Sequence, residues 1–306
     1  APGDPHEVRR ACRALLDVGA QARAIVFVNA YADATNEKAA YAAAREVWPN
    51  DHICHSAQIL PEMREFERAS TTALNAYLQP VVAGYLGKLD AALEREAFKG
   101  SFHIVQSNGG VMSTAAARRF PIRTALSGPA AGVIAAAAVA RAAGYPDLVT
   151  ADLGGTSFDV CVVAGGQAAL AAQTTIDFGL VVRTPMIEIA TIGAGGGSIA
   201  RVDAGGFLAV GPESAGSRPG PAAYGQGNER PTLTDANIVL GRINAERPIG
   251  GALARLDVEA ARRAVARHVG KKLSLGVEAA AEAIVRVANA RMAGAIRLVS
   301  IERGHD

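Results

Sequence analysis

Ala151-Asp152-Leu153-Gly154-Gly155-Thr156-Ser157-Phe158-Asp159-Val160 joins two apolar runs, residues 148–152 and 158–163, each with the composition of a strand. The glycines therefore lie in a tight turn. Lacking Cβ atoms, Gly154 and Gly155 let backbone N–H groups come close to a phosphate. Thr156 and Ser157 add hydroxyl donors. Asp152, at the end of its strand, can hold a hydrated Mg²⁺ or orient an attacking group, and Asp159 supplies a second carboxylate. The segment thus carries the parts of a polyphosphate-and-metal site. The same residues also suit a hairpin whose glycines do no more than reverse the chain.

Downstream, Gly165-Gly166 turns the second strand into residues 168–174, a hairpin signature. Residues 186–192 read as a strand entering Gly193-Ala194-Gly195-Gly196-Gly197-Ser198. Four glycines in five residues exceed what a turn needs and suit close approach of a ligand to the backbone, although a flexible connector has the same composition. This is no dinucleotide fingerprint, because residues 198–202 have strand character where a helix is required. Residues 198–202 and 207–210 predict a further hairpin about Gly205-Gly206. Residues 211–231, rich in Gly, Pro and Ser, predict an ordered loop or lid. Apolar residues at spacings of three to four predict helices over 257–269 and 278–301.

Upstream, residues 7–16, 36–47 and 71–97 have helical spacing, while 24–29, 52–59 and 102–106 have strand composition. This alternation predicts a parallel α/β sheet. Ser107-Asn108-Gly109-Gly110 follows the last of these strands, at the end where such sheets place ligands, or is an ordinary turn. Ser127-Gly128-Pro129-Ala130-Ala131-Gly132 opens an apolar helix, with Ser127 as N-cap. That helix end can face an anion, or capping and close packing explain it fully. Asp51-His52-Ile53-Cys54-His55 has metal-ligand residue types but no second ligand pair. Residues 61–68 read as a solvated, charged helix face.

With 306 residues, half of them hydrophobic, the chain can bury a large core, and its length suits two domains or one large one, two being the expectation. A net charge of +2 with 5% aromatic residues gives no footing for nucleic acid or an anionic membrane. Cys12, Cys54 and Cys161 are too few and too scattered for a disulfide framework and fit a reducing cytoplasm. The apolar run 130–143 is too short to span a bilayer. No basic region followed by an apolar core opens the chain, and no tandem repeat is visible.

Asp152 to Val160 resembles the second phosphate loop of the actin/hexokinase/heat-shock ATPase superfamily, whose heat-shock form reads D-L-G-G-G-T-F-D-V. Five further segments narrow the resemblance to the hydantoinase/oxoprolinase A family. They are Gln106-Ser-Asn-Gly-Gly-Val-Met112, Leu126-Ser-Gly-Pro-Ala-Ala-Gly132, Thr191-Ile-Gly-Ala-Gly-Gly-Gly-Ser198, Thr234-Asp-Ala-Asn237 and Arg297-Leu-Val-Ser-Ile-Glu-Arg-Gly-His-Asp306. Leu60-Pro-Glu-Met-Arg-Glu-Phe-Glu-Arg68 fits the same pattern. The match covers almost the whole chain and is most specific from Val105 onward.

The resemblance implies an actin-like (ribonuclease H-like) α/β ATPase fold of two lobes, incomplete at both ends. Residues 1–146 would be the later part of the first lobe and 147–306 most of the second. Asp152, Gly154, Gly155, Thr156 and Ser157 would cradle the phosphates of ATP. Gly195, Gly196 and Gly197 would approach the nucleotide, and Ser127 and Gly128 would belong to a nucleotide-binding segment joining the lobes. Asp152 and Asp159 would hold Mg²⁺, with Asp152 also catalytic. The implied activity is ATP-dependent ring opening of hydantoin, N-methylhydantoin or 5-oxoproline, completed by a B-type subunit. An acetone/acetophenone carboxylase-type subunit and a non-enzymatic actin- or heat-shock-like switch are the alternatives. The family's first phosphate loop is expected upstream of Ala1 and its adenosine-site glycines beyond Asp306, so this fragment alone is expected to bind ATP weakly and not to turn it over.

Overall fold

The computed structural model describes residues 4–248 and 253–305. In chain order the elements begin with α1 (Pro5–Asp17), β1 (Arg23–Ile25), α2 (Thr35–Arg45), β2 (Ile53–His55), α3 (Ser56–Ile59), α4 (Glu65–Arg95), β3 (His103–Val105), β4 (Val111–Ser113), α5 (Thr114–Arg119) and α6 (Ser127–Ala142). They continue with β5 (Leu148–Leu153), β6 (Phe158–Ala164), β7 (Gln167–Ala168), β8 (Leu170–Ala171), β9 (Thr174–Thr175), β10 (Val181–Val182), β11 (Met186–Ile187) and β12 (Ala190–Ile192). The last are β13 (Ser198–Val202), β14 (Leu208–Ser214), α7 (Leu233–Val239), α8 (Val258–Val265), α9 (Lys271–Leu273) and α10 (Val277–Val299). Packing divides the chain into two units, Ala1–Ala135 with Ala169–Glu188, and Ala136–Ala168 with Ile189–Asp306. The compact units are therefore not separated by one cut near 146.

In the first unit α1 and α2 cover β1 and β2 through Cys12, Ala40, Ala44 and Trp48. β1 and β2 pair in parallel, as the alternation of elements predicts. Every other strand pair among the described residues is antiparallel, so an extended parallel sheet does not form. The strand expected over 52–59 stops at His55. Glu37, fully buried on α2, accepts hydrogen bonds from Ser56 Oγ at 2.6 Å and Ala57 N–H at 2.8 Å, which starts α3 there. It also accepts from Phe27 N–H at 2.8 Å, with His55 Nδ1 at 3.3 Å. Burial pushes this carboxyl upward, but the hydrogen bonds outweigh it and hold the pKa at about 2.

The charged stretch 61–68 is not a solvated helix face. α4 begins only at Glu65, and Arg68 is fully buried, donating to the Phe27 carbonyl at 2.7 Å and to Glu65 at 2.9 Å. Further along α4, Ser70 accepts from Val181 N–H and Thr71 from Arg183 N–H, which ties the returning segment 169–188 to this helix. Two carbonyls and a carboxylate match the terminal nitrogens of this buried arginine, while its Nε has no hydrogen-bond partner among the described residues.

In the second unit β12, β6 and β5 form an antiparallel sheet in that order, with β7 pairing β6. α10 lies along this unit with apolar residues on one face. Ala295 and Val299 pack on Phe158 and Val160 of β6. Ala281, Ile284 and Ala288 pack with α7 and α8 against Ala200, Val202 and Val210 of the β13–β14 hairpin. Ile284 is fully buried, so its side chain contributes about 1.5–3 kcal/mol by removal from water. The helix expected over 257–269 forms as α8, capped by Asp257, and continues as a π-helical turn, Ala266–Gly270. No helix among the described residues is long and apolar enough to cross a membrane.

Candidate functional site

β5 and β6 are joined by the turn 154–157, closed by a hydrogen bond from Gly154 N–H to the Ser157 carbonyl at 2.9 Å. The next three N–H groups, of Gly155, Thr156 and Ser157, have no hydrogen-bond partner among the described residues. Gly155 and Thr156 are exposed and Ser157 is half-buried. Successive unengaged N–H groups in a turn make a concave, partly positive surface suited to an anion.

The glycine segment 193–197 does not present its own N–H groups in this way. Gly195 N–H donates to Ser198 Oγ at 2.8 Å, Gly196 N–H to the Gly154 carbonyl at 2.9 Å and Gly197 N–H to the Gly155 carbonyl at 2.6 Å. The two glycine motifs are thus one construction, in which the second braces the first from behind. Gly195 shows why glycine is required. A Cβ there would sit 2.6 Å from the Gly155 carbonyl carbon and the Thr156 nitrogen. Thr234 N–H donates in turn to the Gly196 carbonyl at 2.8 Å, fixing the brace to α7.

That end of α7 is rigidly built. Thr232 and Asp235 form a reciprocal capping box, and the Asp235 carboxylate is fully buried. It accepts from Thr232 N–H and Oγ at 2.8 Å each, from Ala223 N–H at 2.8 Å and from Ala222 N–H at 3.1 Å. Burial raises its pKa above the usual carboxylate value, and the hydrogen bonds only partly offset this. The same bonds order the Gly/Pro-rich stretch expected as a loop, although β14 runs through its first residues to Ser214.

Asp152 and Asp159 stand directly opposite each other on β5 and β6, hence on one face of the hairpin. Asp152 is exposed and makes no side-chain hydrogen bond or ion pair among the described residues. Asp159 is half-buried and accepts from Thr191 Oγ1 at 2.5 Å and Ser157 Oγ at 3.4 Å. The Ser157 hydroxyl therefore turns back onto Asp159. Thr156 Oγ1 is exposed and lies 3.5 Å from Ser214 Oγ.

The structure thus brings together Asp152, Gly154, Gly155, Thr156, Ser157, Asp159, Gly195, Gly196 and Gly197 in the second unit. Ser127 and Gly128 belong to the first unit, at the start of α6. The first intrahelical bond there runs from Ala130 N–H to the Leu126 carbonyl, so Ser127 lies inside the first turn and is not the N-cap. Ser107-Asn108-Gly109-Gly110 forms the turn of the antiparallel β3–β4 hairpin, with Gly109 at φ +83°. His55 is turned toward Glu37, and among the described residues no group of three or more His, Cys, Asp and Glu could hold a metal ion by itself. Sequence reading missed Ser214, because the β14 run looked finished at Val210, and Thr191, whose approach to Asp159 is set by the β12–β6 register.

The hydantoinase/oxoprolinase family model matches residues 68–306. The chain is 40% identical over 287 residues to the caprolactamase subunit alpha of Pseudomonas jessenii, a match covering 94% of this chain and 41% of that one. It is similar to the crystal structure of the ATP-dependent caprolactamase of Pseudomonas jessenii, with a TM-score of 0.79 and 37% identity over 100% of this chain and 44% of that one. It is also similar to a nucleotide-free acetone carboxylase structure, with a TM-score of 0.81 and 28% identity over 98% of this chain and 42% of that one. The chain spans less than half the length of these relatives. A match over this much of the sequence places the chain in the hydantoinase/oxoprolinase family.

Proposed function

We propose that this chain is the ATP-handling part of an enzyme that uses ATP to open a cyclic amide. In this reading the fold is actin-like, with residues 1–146 in the first lobe and 147–306 in the second, apart from residues 169–188, which pack with the first unit. The carrying observation is the turn 154–157, which offers three successive unengaged N–H groups, is braced by Gly195 to Gly197 and stands beside the free carboxylate of Asp152. Preorganised donors of this kind neutralise a phosphoryl group without rearranging. Ser127 and Gly128 enter through the family resemblance, as part of a nucleotide-binding segment.

Mg²⁺ fits the residues present. It is held typically by one or two carboxylates plus phosphate oxygens and water, not by an all-protein cage. Asp152 and Asp159 would hold it, and a cation between them removes the cost of two like charges placed opposite on paired strands. Its contribution is charge neutralisation on the phosphates. Asp152 would also orient the attacking group.

An amide carbonyl is a poor electrophile. Transfer of the ATP γ-phosphoryl group to its oxygen, with release of ADP, makes the ring carbon a better electrophile: one water adds there, the ring C–N bond breaks as the nitrogen takes up a proton, and a second water hydrolyses the resulting acyl phosphate to carboxylate and phosphate. A B-type partner subunit would complete the ring opening. The greater identity to the caprolactamase, 40% over the aligned sequence and 37% over the aligned structures, favours hydrolysis of a lactam or related ring over the carboxylase chemistry. The acetone carboxylase similarity, with its TM-score of 0.81, keeps an ATP-dependent carboxylase as the second reading. ADP release by the full-length protein with its partner separates the two. Hydrolysis requires release with a cyclic amide in the absence of bicarbonate. Release only with a ketone plus bicarbonate refutes it.

A further inference from the structure

We infer that Ser214 is a further phosphate-binding residue, acting beside Thr156. This rests on the reading of the 154–157 turn as the polyphosphate site and adds to it a residue from a different part of the chain.

Three observations carry it. First, Ser214 is tied to the turn by backbone. Ala215 N–H donates to the Gly197 carbonyl at 2.9 Å, and Gly197 N–H donates to the Gly155 carbonyl at 2.6 Å. The end of β14 therefore moves with the turn. Second, the Ser214 hydroxyl has a proton to give. Its oxygen accepts from Gly216 N–H at 3.1 Å, and its one other side-chain hydrogen-bond contact among the described residues, Thr156 Oγ1, is at 3.5 Å, the outer edge of a hydrogen bond. The two hydroxyls face each other beside a turn whose Gly155 and Thr156 N–H groups are unengaged. Third, the acid beside it is neutralised, because Glu213 is paired with Arg230 at 2.8 Å. A polyphosphate therefore meets donors here and no unpaired carboxylate from β14.

The competing explanation is that Ser214 only closes the turn onto Gly216. Titration of Mg·ATP into the full-length protein distinguishes them, with melting temperatures measured in parallel. Ser214→Ala is expected to weaken Mg·ATP binding by about tenfold, the loss of one hydrogen bond to a charged group, with an unchanged melting temperature. Ser214→Thr, which keeps the hydroxyl, is expected to restore most of the affinity. Wild-type affinity in Ser214→Ala, with or without a lowered melting temperature, overturns the inference if Asp152→Asn binds Mg·ATP less tightly than wild type. Equal binding by Asp152→Asn and the wild type removes the phosphate-site reading itself, and this inference with it.

Discussion

Replacing Gly195 with alanine sets the brace against the turn it supports. The added methyl would begin 2.6 Å from the Gly155 carbonyl carbon and the Thr156 nitrogen, and both are backbone atoms that cannot rotate away. Reaching the ordinary contact limit of 3.4 Å requires the two segments to part by about 0.8 Å. The bonds from Gly196 N–H and Gly197 N–H to the turn, now 2.9 and 2.6 Å, would stretch to or past the limit of a useful hydrogen bond. Overpacking of this kind costs about 1–3 kcal/mol, and each of the two weakened bonds adds up to about 1 kcal/mol, giving about 1–5 kcal/mol in all. A phosphate cradle displaced by nearly 1 Å should lose about 100-fold in turnover. The assay is substrate-dependent ADP release from the full-length protein, paired with urea denaturation. Full activity at wild-type stability would show that the two glycine segments do not depend on each other.

Gly294→Ala is the matching control. Gly294 is exposed within α10 and an added Cβ meets nothing within 4 Å, so the variant should gain about 0.5–1 kcal/mol in the same denaturation assay. Glu37 predicts an acid-sensitive first unit. Its folded pKa, about 2, lies below the ordinary glutamate value of 4.5, so its stabilisation is fully present above pH 4.5 and is lost as pH falls toward 2. The loss amounts to at most about 3 kcal/mol, and Glu37→Gln should flatten stability over that window; an unchanged pH profile would contradict it. Thr232→Ala, which removes half of the capping box on α7, should cost about 1 kcal/mol in thermal or chemical unfolding.

Local signals were enough for much of the second unit. The alternation of apolar residues about Gly154-Gly155 defines the β5–β6 hairpin, and the three-to-four spacing of Ile284, Ala288, Ala295 and Val299 defines α10. The composition of the turn also pointed to its unengaged N–H groups. What escaped local reading depends on partners distant in sequence. Ser56 to Ile59 has the composition to continue a strand, yet Glu37, nineteen residues before Ser56, supplies the acceptor that starts a helix there. Arg68 looks solvated until the Phe27 carbonyl, forty-one residues earlier, accepts its hydrogen bond. The glycines of 193–197 announced close approach to something. That the partner is the 154–156 backbone follows only from how β12 pairs with β6 and carries the chain back past the turn.

Similar logic explains why the site is divided between motifs. A turn with unengaged N–H groups is poorly determined by its own residues, since it forgoes the bonds that would fix it. Here the turn's carbonyls are used to hold it, through Gly196 and Gly197, leaving the N–H side open. Asp235 anchors the far end of that chain by fixing the start of α7, from which Thr234 reaches Gly196. The family's sequence segments at 152–160, 191–198 and 234–237 are in this sense successive layers of one support.

The Mg²⁺ dependence of ADP release by Asp152→Ala, measured on the full-length protein with its partner, bears most directly on the turn as a grip for polyphosphate and magnesium. Turnover should fall to background at every Mg²⁺ concentration while the melting temperature stays near that of the wild type, because the exposed carboxylate supports nothing else in the fold. Wild-type turnover with an unshifted Mg²⁺ dependence would contradict it.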